Sequence, residues 1–233
     1  MKRLCTICAR GGSKGVEGKN LRLLLGRPLI AYSLEQAHAS SLFDRIAVSS
    51  DASEILEVSR TFGADILIQR PNELASDTAA KVPAIHQAVL QAEAISGQRF
   101  DTLVDLDATA PLRTPDDIRG AVALLETSGC SSVITGAPAR RSPYFNLVER
   151  RADGSVVLSK TAEPPIVRRQ DAPACFDMNA SVYVWRRDRF LADPRVIYRD
   201  TRLFEMLVER STDLDSELDF AYIEFLMQRR GGM

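Results

Sequence analysis

Ala9-Arg10-Gly11-Gly12-Ser13-Lys14-Gly15-Val16-Glu17-Gly18-Lys19-Asn20 reads as a loop between a strand and a helix. The apolar run Leu4 to Ala9 before it has the length of a buried strand, and Pro28-Leu29-Ile30-Ala31-Tyr32-Ser33-Leu34 after it reads as a helix opened by proline. Glycines at 11, 12, 15 and 18 let the backbone turn its N–H groups toward an anion, and Arg10, Lys14 and Lys19 supply counter-charge. The stretch is suited to a polyphosphate. The plainer alternative is a glycine-rich turn of the kind common where a strand meets a helix.

Working outward, short apolar runs alternate with amphipathic stretches. Strands are expected at Arg45 to Ser49, Asp65 to Ile68, Thr102 to Leu106 and Ser132 to Thr135, with helices at Ala52 to Phe62, Lys81 to Ile95 and Pro115 to Thr127. This rhythm predicts an α/β fold, a mostly parallel sheet with helices on both faces, and ligands beyond the carboxyl ends of its strands. From 136 to 180 the pattern changes: prolines crowd the stretch, and two short strands, Phe145 to Glu149 and Val156 to Ser159, flank the turn Ala152-Asp153-Gly154. It is expected to be an excursion from a single domain spanning 1–233. Its Arg140-Arg141 and Arg168-Arg169 pairs are either anion clamps or solvated surface. The chain then returns through a strand at Ser181 to Trp185 and closes with a helix from Ser216, its expected cap, to Gln228.

Composition narrows the function classes. The chain has 233 residues, 45% hydrophobic and 26% charged, which are the proportions of an ordinary globular protein. Lys and Arg total 30 against 31 Asp and Glu, so no basic field exists to attract nucleic acid. No signal-peptide pattern or membrane-spanning run is seen, which leads to the expectation of a cytoplasmic protein without a membrane partner. Cys5 and Cys8 form a C-x-x-C, but residues three apart on a strand face opposite ways, so these thiols are expected to be buried hydrophobes rather than a redox or metal pair. His38 and His86 fall in amphipathic helices and are expected to pack.

Two familiar phosphate motifs fail. A Walker loop would need glycine at Ser13 and Ser or Thr at Asn20, and no G-x-G-x-x-G occurs between Gly11 and Gly18. Instead the loop resembles the A-R-x-x-S-K-x-x-x-x-K-N signature of the cytidylyltransferases that activate sialic and related sugar acids. Four further stretches agree: Arg70 to Thr78, Asp107 to Arg113, Asn179 to Tyr183, and Asp213 to Asp219. Together the five span most of the chain, and the nearest resemblance is to the bacterial branch that makes CMP-legionaminic acid.

The resemblance implies a Rossmann-like nucleotidyltransferase, CTP and a nonulosonic acid as substrates, a magnesium ion (Mg2+), and a homodimer whose exchanged excursion helps close the sugar site. It implies phosphate-binding and catalytic roles for Arg10 and Lys19, with Gly11, Gly12 and Ser13 in the phosphate loop, and cytidine contacts from Asn20 and Arg70. Arg169, Asn179 and Tyr183 match the sugar side, and Asp213 and Asp215 match metal-binding carboxylates, Asp215 also being counted as catalytic. Alternate residues of an extended segment point to one side, which lets both carboxylates meet one ion. Asp107 stands where many relatives carry Gln; an ionised carboxylate only accepts hydrogen bonds, so this position is expected to favour a sugar offering an N–H or O–H, such as legionaminic over N-acetylneuraminic acid. A CMP-Kdo-type or isoprenoid cytidylyltransferase, or a catalytically silent nucleotide-sugar sensor, are the alternatives.

Overall fold

The computed structural model describes residues 1–12, 15–76 and 79–231; the side chains of residues 169 and 230 lie outside that description. In chain order the elements are β1 (Arg3–Cys8), β2 (Leu23–Leu24), β3 (Arg27–Pro28), α1 (Leu29–Ser40), β4 (Arg45–Ser50), α2 (Ser53–Thr61), β5 (Ile66–Gln69), α3 (Lys81–Ser96), β6 (Thr102–Leu106), α4 (Pro115–Ser128), β7 (Ser132–Pro138), β8 (Val148–Arg150), β9 (Val156–Leu158), β10 (Phe176–Arg186), α5 (Arg187–Ala192), β11 (Arg202–Glu205) and α6 (Glu217–Gly231).

Seven strands form the main sheet in the order β11-β7-β10-β6-β1-β4-β5. β4 and β6 flank β1 in parallel, β5 continues in parallel beyond β4, and β10 runs antiparallel between β6 and β7. The expected mostly parallel sheet is therefore present, with one antiparallel strand, β10, inserted between β7 and β6. All five residues of β6 are buried, as a strand covered on both faces requires. One face packs against α1, α2 and α4 through Ile30, Leu34, Ile55, Ile118 and Val122. The other packs against α3 and α5 through Ile85, Val89 and Phe190. Cys5 belongs to the first cluster and Cys8 packs on the second, so the two thiols do face opposite sides; both are free, and burial pushes Cys8 up to about 12.

Several elements differ from the sequence reading. The hairpin β2–β3, the short helix α5 and the edge strand β11 were not expected, because two- to six-residue elements of mixed polarity leave no periodic signal. β10 is eleven residues long where five were expected. Its first residues, Phe176–Met178, pair with Gly136–Pro138 of β7, so both ends of the 136–180 segment lie in the main sheet. Within that segment β8 and β9 pair only with each other. β8 starts later than expected because Phe145, Asn146 and Leu147 all donate their N–H to the Ser142 carbonyl, which winds this stretch into a turn.

The sheet order reverses at β1: β4 and β5 extend one way, and the chain then crosses by α3 to β6 on the other side. The far end of the chain is tied to this centre. α4 opens with a capping box in which Thr114 and Asp117 exchange hydrogen bonds, and Asp117, only 2% exposed, also receives a bidentate Arg210 at 2.7 and 2.9 Å. That ion pair holds the turn Val208–Arg210 just upstream of the Asp213 segment.

Burial works against the Asp117 charge, but the Arg210 and Thr114 bonds outweigh it and hold the carboxyl below its usual range. A group depressed on folding contributes stability above its unfolded value and loses it as pH falls through the folded one. Arg210→Ala should therefore lower the unfolding free energy by about 3 kcal/mol at pH 7, because it leaves a buried carboxylate unpaired. In urea melts that deficit should shrink as the pH is lowered below about 4.

Candidate active site

β1, β4, β5 and β6 end at one edge of the sheet, beside the point where strand order reverses, which is where open α/β sheets bind ligands. The loops there form an open cleft of about 250 Å3 lined by Arg10, Gly12, Lys19 and Asn20 after β1, Arg70 after β5, Lys81 at the start of α3, and Asp107 and Thr109 after β6. Five residues expected at the nucleotide thus converge, and Asp107, expected on the sugar side, lines the same cleft. Ser13, expected in the phosphate loop, lies outside the described residues.

The first loop is shaped by its own polar groups. Gly11 N–H donates to Asp51 Oδ1 at 2.9 Å, and Asn20 Nδ2 donates to the Arg10 carbonyl at 2.9 Å. Arg70 is buried and donates to the Ser49 carbonyl at 2.7 Å and hydroxyl at 3.2 Å. Arg10 reaches across to the Ser76 carbonyl at 3.2 Å.

The Asp213–Asp219 segment packs on this loop. A Cβ built on Gly15 would sit 1.9 Å from the Asp215 carbonyl oxygen, so only glycine permits the two backbones to approach this closely. Lys19 Nζ donates to the Leu214 carbonyl at 2.8 Å and to Asp215 Oδ1 at 3.1 Å, and Leu214 N–H bonds the Thr109 carbonyl at 3.0 Å. Ser216 caps α6 as expected: its Oγ accepts from Asp219 N–H, while Asp219 Oδ2 accepts from Ser216 N–H. Asp213 is different. Among the described residues no N–H or O–H donates to its carboxyl, and burial, with the Asp107 and Asp215 charges adding and Lys81 and Lys19 opposing, pushes it up to about 7.

Lys81 is the residue the sequence reading missed. Its ammonium lies 3.0 Å from Asp105 Oδ2 and 2.8 Å from Asp107 Oδ2. Burial works against its charge, yet the two carboxylates together raise it well above the ordinary lysine value. Burial likewise opposes the Asp107 charge, but Lys81 and the Thr109 N–H and hydroxyl hold that carboxyl well below the usual range. Two signals could have found this bracket. Asp105 is a carboxylate inside an otherwise apolar strand, which demands a partner, and Lys81 is a cation at a helix N-terminus, the end the helix dipole disfavours. Arg113, at the end of the Asp107–Arg113 stretch, is buried and joins Ser33 of α1 to the Ser181 carbonyl of β10; burial lowers it to about 10.

Of the other residues expected on the sugar side, Asn179 and Tyr183 are not among those lining the cleft. Tyr183 is buried on β10, its ring centroid 5.2 Å from Lys81 Nζ. Asn179 is also buried, in a bulge of β10 where Ala180 takes a φ of 50°, and its amide is engaged by Thr135, Ser181 and Ser211. Arg169 begins the turn Arg169–Asp171, and its side chain lies outside the described residues.

The cytidylyltransferase family profile matches residues 4–230. The chain is 46% identical over 227 residues to post-translational flagellin modification protein B of Campylobacter coli, covering 97% of this chain and 95% of the relative. It is 47% identical over 224 residues to the CMP-N,N'-diacetyllegionaminic acid synthase of Campylobacter jejuni, covering 96% and 94%. Among solved structures it is similar to a CMP:2-keto-3-deoxy-manno-octonic acid synthetase complexed with CTP, with a TM-score of 0.70, 16% identity, and coverage of 99% and 100%. At that identity the likeness shows the fold alone.

Gly15 and Gly12 separate the two demands on the loop. Gly15→Ala forces the loop off the Asp215 carbonyl and should lower stability by about 1 to 3 kcal/mol in a denaturant melt. A Cβ on Gly12 meets nothing within 4 Å and projects at the cleft, so Gly12→Ala should keep the wild-type melting temperature and weaken nucleotide binding in calorimetry. Normal affinity in Gly12→Ala would put the phosphates elsewhere.

Proposed function

The chain belongs to the cytidylyltransferase family, and from that premise we propose that it transfers CMP from CTP to the anomeric hydroxyl of a nonulosonic acid and releases pyrophosphate. The observation that carries this reading is the cleft in which Arg10, Lys19, Asn20 and Arg70 converge, on a chain 47% identical over nearly its whole length to a CMP-N,N'-diacetyllegionaminic acid synthase. That identity also supports legionaminic acid as the preferred nonulosonate.

The hydroxyl oxygen bonds the α-phosphorus as the α–β bridging P–O bond breaks, so pyrophosphate departs and the hydroxyl proton passes to solvent. Catalysis of this kind rests on positioning and charge neutralisation. Arg10 and Lys19 would balance the triphosphate, while Arg70, fixed by Ser49, and Asn20 would orient the nucleoside. Lys81 stays cationic and Asp107 stays ionised, so neither is suited to take the proton.

Asp213 and Asp215 are the residues suited to hold a magnesium ion. A carboxyl that no donor among the described residues bonds, raised by burial and then by the Asp107 and Asp215 charges, is the state a cation relieves, and two carboxylates plus phosphate oxygens satisfy this hard ion. When bound, it would neutralise charge on the transferring and leaving phosphates. Among the described residues no helix is long and apolar enough to cross a membrane, and use of the cytoplasmic CTP pool supports a cytoplasmic location.

The test is pyrophosphate release with CTP and UTP against a panel of nonulosonic and octulosonic acids. CTP with a nonulosonate should give turnover, legionaminic acid the highest kcat/KM; pyrophosphate from none of the acids would overturn the reading. Asp215→Asn should lower kcat by about a hundredfold and raise the magnesium concentration needed for half-maximal rate. Full activity of wild type after exhaustive chelation would remove the metal.

A homodimer is the second part of the proposal. The separate two-stranded sheet is too small to bury its own apolar residues, and Val148, Val156 and Leu158, which share one of its faces, are all exposed, as are Phe145 and Leu147. A second copy would cover them. Sedimentation should give twice the chain mass, and Val148→Glu with Leu158→Glu should convert it to a monomer; a wild-type monomer at every concentration sinks the dimer.

A further inference from the structure

We propose that Lys81 and Asp107, braced by Asp105, form the reader of the ribose diol of the nucleotide and so make the site selective for ribonucleotides. The inference rests on the CTP-dependent reading above and concerns a part of the substrate that no phosphate contact can recognise.

The argument starts from counting donors and acceptors. Asp107 Oδ1 accepts from both the N–H and the hydroxyl of Thr109, at 2.9 and 2.8 Å, which fills its two lone pairs. Oδ2 accepts from Lys81 at 2.8 Å, which leaves one lone pair. The ammonium donates one hydrogen to Asp107 and lies 3.0 Å from Asp105 Oδ2 as an ion pair, which leaves at least one donor. One acceptor and one donor therefore remain side by side where Lys81 and Asp107 both line the cleft. A hydroxyl pair fits them, one hydroxyl donating to the carboxylate and the other accepting from the ammonium.

Location selects the ribose over other polyols. The same cleft is lined by Arg10, Gly12 and Lys19, which suit phosphate, and by Arg70, which suits the base. A nucleotide joining those two ends carries its ribose between them. Tyr183, whose ring centroid is 5.2 Å from the Lys81 ammonium, is not among the cleft residues, whereas Lys81 and Asp107 both are, so the pair is accessible to the nucleotide. Charge also decides against an anion: a carboxylate or phosphate brought to Asp107 would meet its charge and that of Asp105 directly. Carboxylate recognition of ribose hydroxyls is a recurrent solution in α/β nucleotide sites. The pair is rigid as well, because Asp105 is fully buried within β6 and also accepts from Thr6 Oγ1 at 2.8 Å.

The experiment compares CTP with 2'-deoxy-CTP and 3'-deoxy-CTP, by kcat/KM in pyrophosphate release with one saturating nonulosonate and by direct calorimetric binding. Wild type should disfavour at least one deoxynucleotide by about ten- to hundredfold, the worth of a lost hydrogen bond to a charged group. In Asp107→Asn, whose amide oxygen still accepts from Thr109, that ratio should fall toward one with little change in KM for the sugar acid. Lys81→Met should do the same if it folds; should its two carboxylate partners prevent folding, Asp107→Asn decides alone. Deoxynucleotide discrimination that survives in Asp107→Asn, or a substitution that raises the KM of the sugar acid while leaving the ratio intact, overturns the proposal. Turnover and binding of CTP by wild type with no discrimination at all also overturns it and leaves the cytidylyltransferase reading standing. Failure of wild type to release pyrophosphate with any acid is the separate failure of that reading.

Discussion

Lys81 between Asp105 and Asp107 is the interaction on which the site depends. Asp105 sits in the middle of β6 with no exposed surface, where an ionised carboxylate without a partner would destabilise the fold by several kcal/mol. The ammonium that satisfies it comes from the first residue of α3, so the same ion pair fixes the start of that helix against the end of the strand. Asp107 and Thr109 then continue the lattice into the loop after β6, and Arg113 ties this loop to α1 and to the bulge in β10. The floor of the cleft is therefore held by charge at the one place where the chain could not use apolar packing and still present polar groups to a ligand.

A second constraint is purely steric. The backbone of Gly15 touches that of Asp215, two hundred residues further on, and Val16 packs with Leu214, Phe220 and Ile223 in one cluster. Through these contacts the last helix of the chain stabilises the first loop. Arg210 on Asp117 and Ser211 on Asn179 fasten the approach to this junction, so the segment carrying Asp213 is held at both ends.

The fold was legible because its signal is repeated. Each strand-to-helix alternation gives its own hydrophobic run, and four successive parallel strands leave little choice of topology. What escaped notice carries no such repetition. β11 is four residues of mixed polarity, α5 is under two turns, and the antiparallel direction of β10 follows from a connection through proline-rich chain that periodicity cannot orient. In the site, the loop glycines and basic residues are readable from composition and spacing, and Arg10, Gly12 and Lys19 do share a cleft. Asp107 was read by its residue type alone, which missed that both its oxygens are already engaged within the protein. Asn179 carries a structural role that its motif does not announce: its amide holds the bulge of β10.

The loop also shows why its chemistry needs arginine and lysine rather than a helix end. In a P-loop the helix begins at the loop itself, and its N-terminal N–H groups and dipole face the phosphate. Here the chain turns at Gly18, where φ is 59°, and passes through β2 and β3 before α1 opens at Leu29. No helix directly follows the glycines, so the loop offers no helix dipole of its own to an anion in the cleft. The counter-charge must come from side chains, and those side chains must be in place before the ligand arrives if they are to stabilise it without reorganisation. Lys19 meets that condition, pinned by the Leu214 carbonyl and Asp215, and Arg10 meets it through the Ser76 carbonyl. The glycines make room for close approach, and the charge is delivered by residues that the rest of the fold holds still.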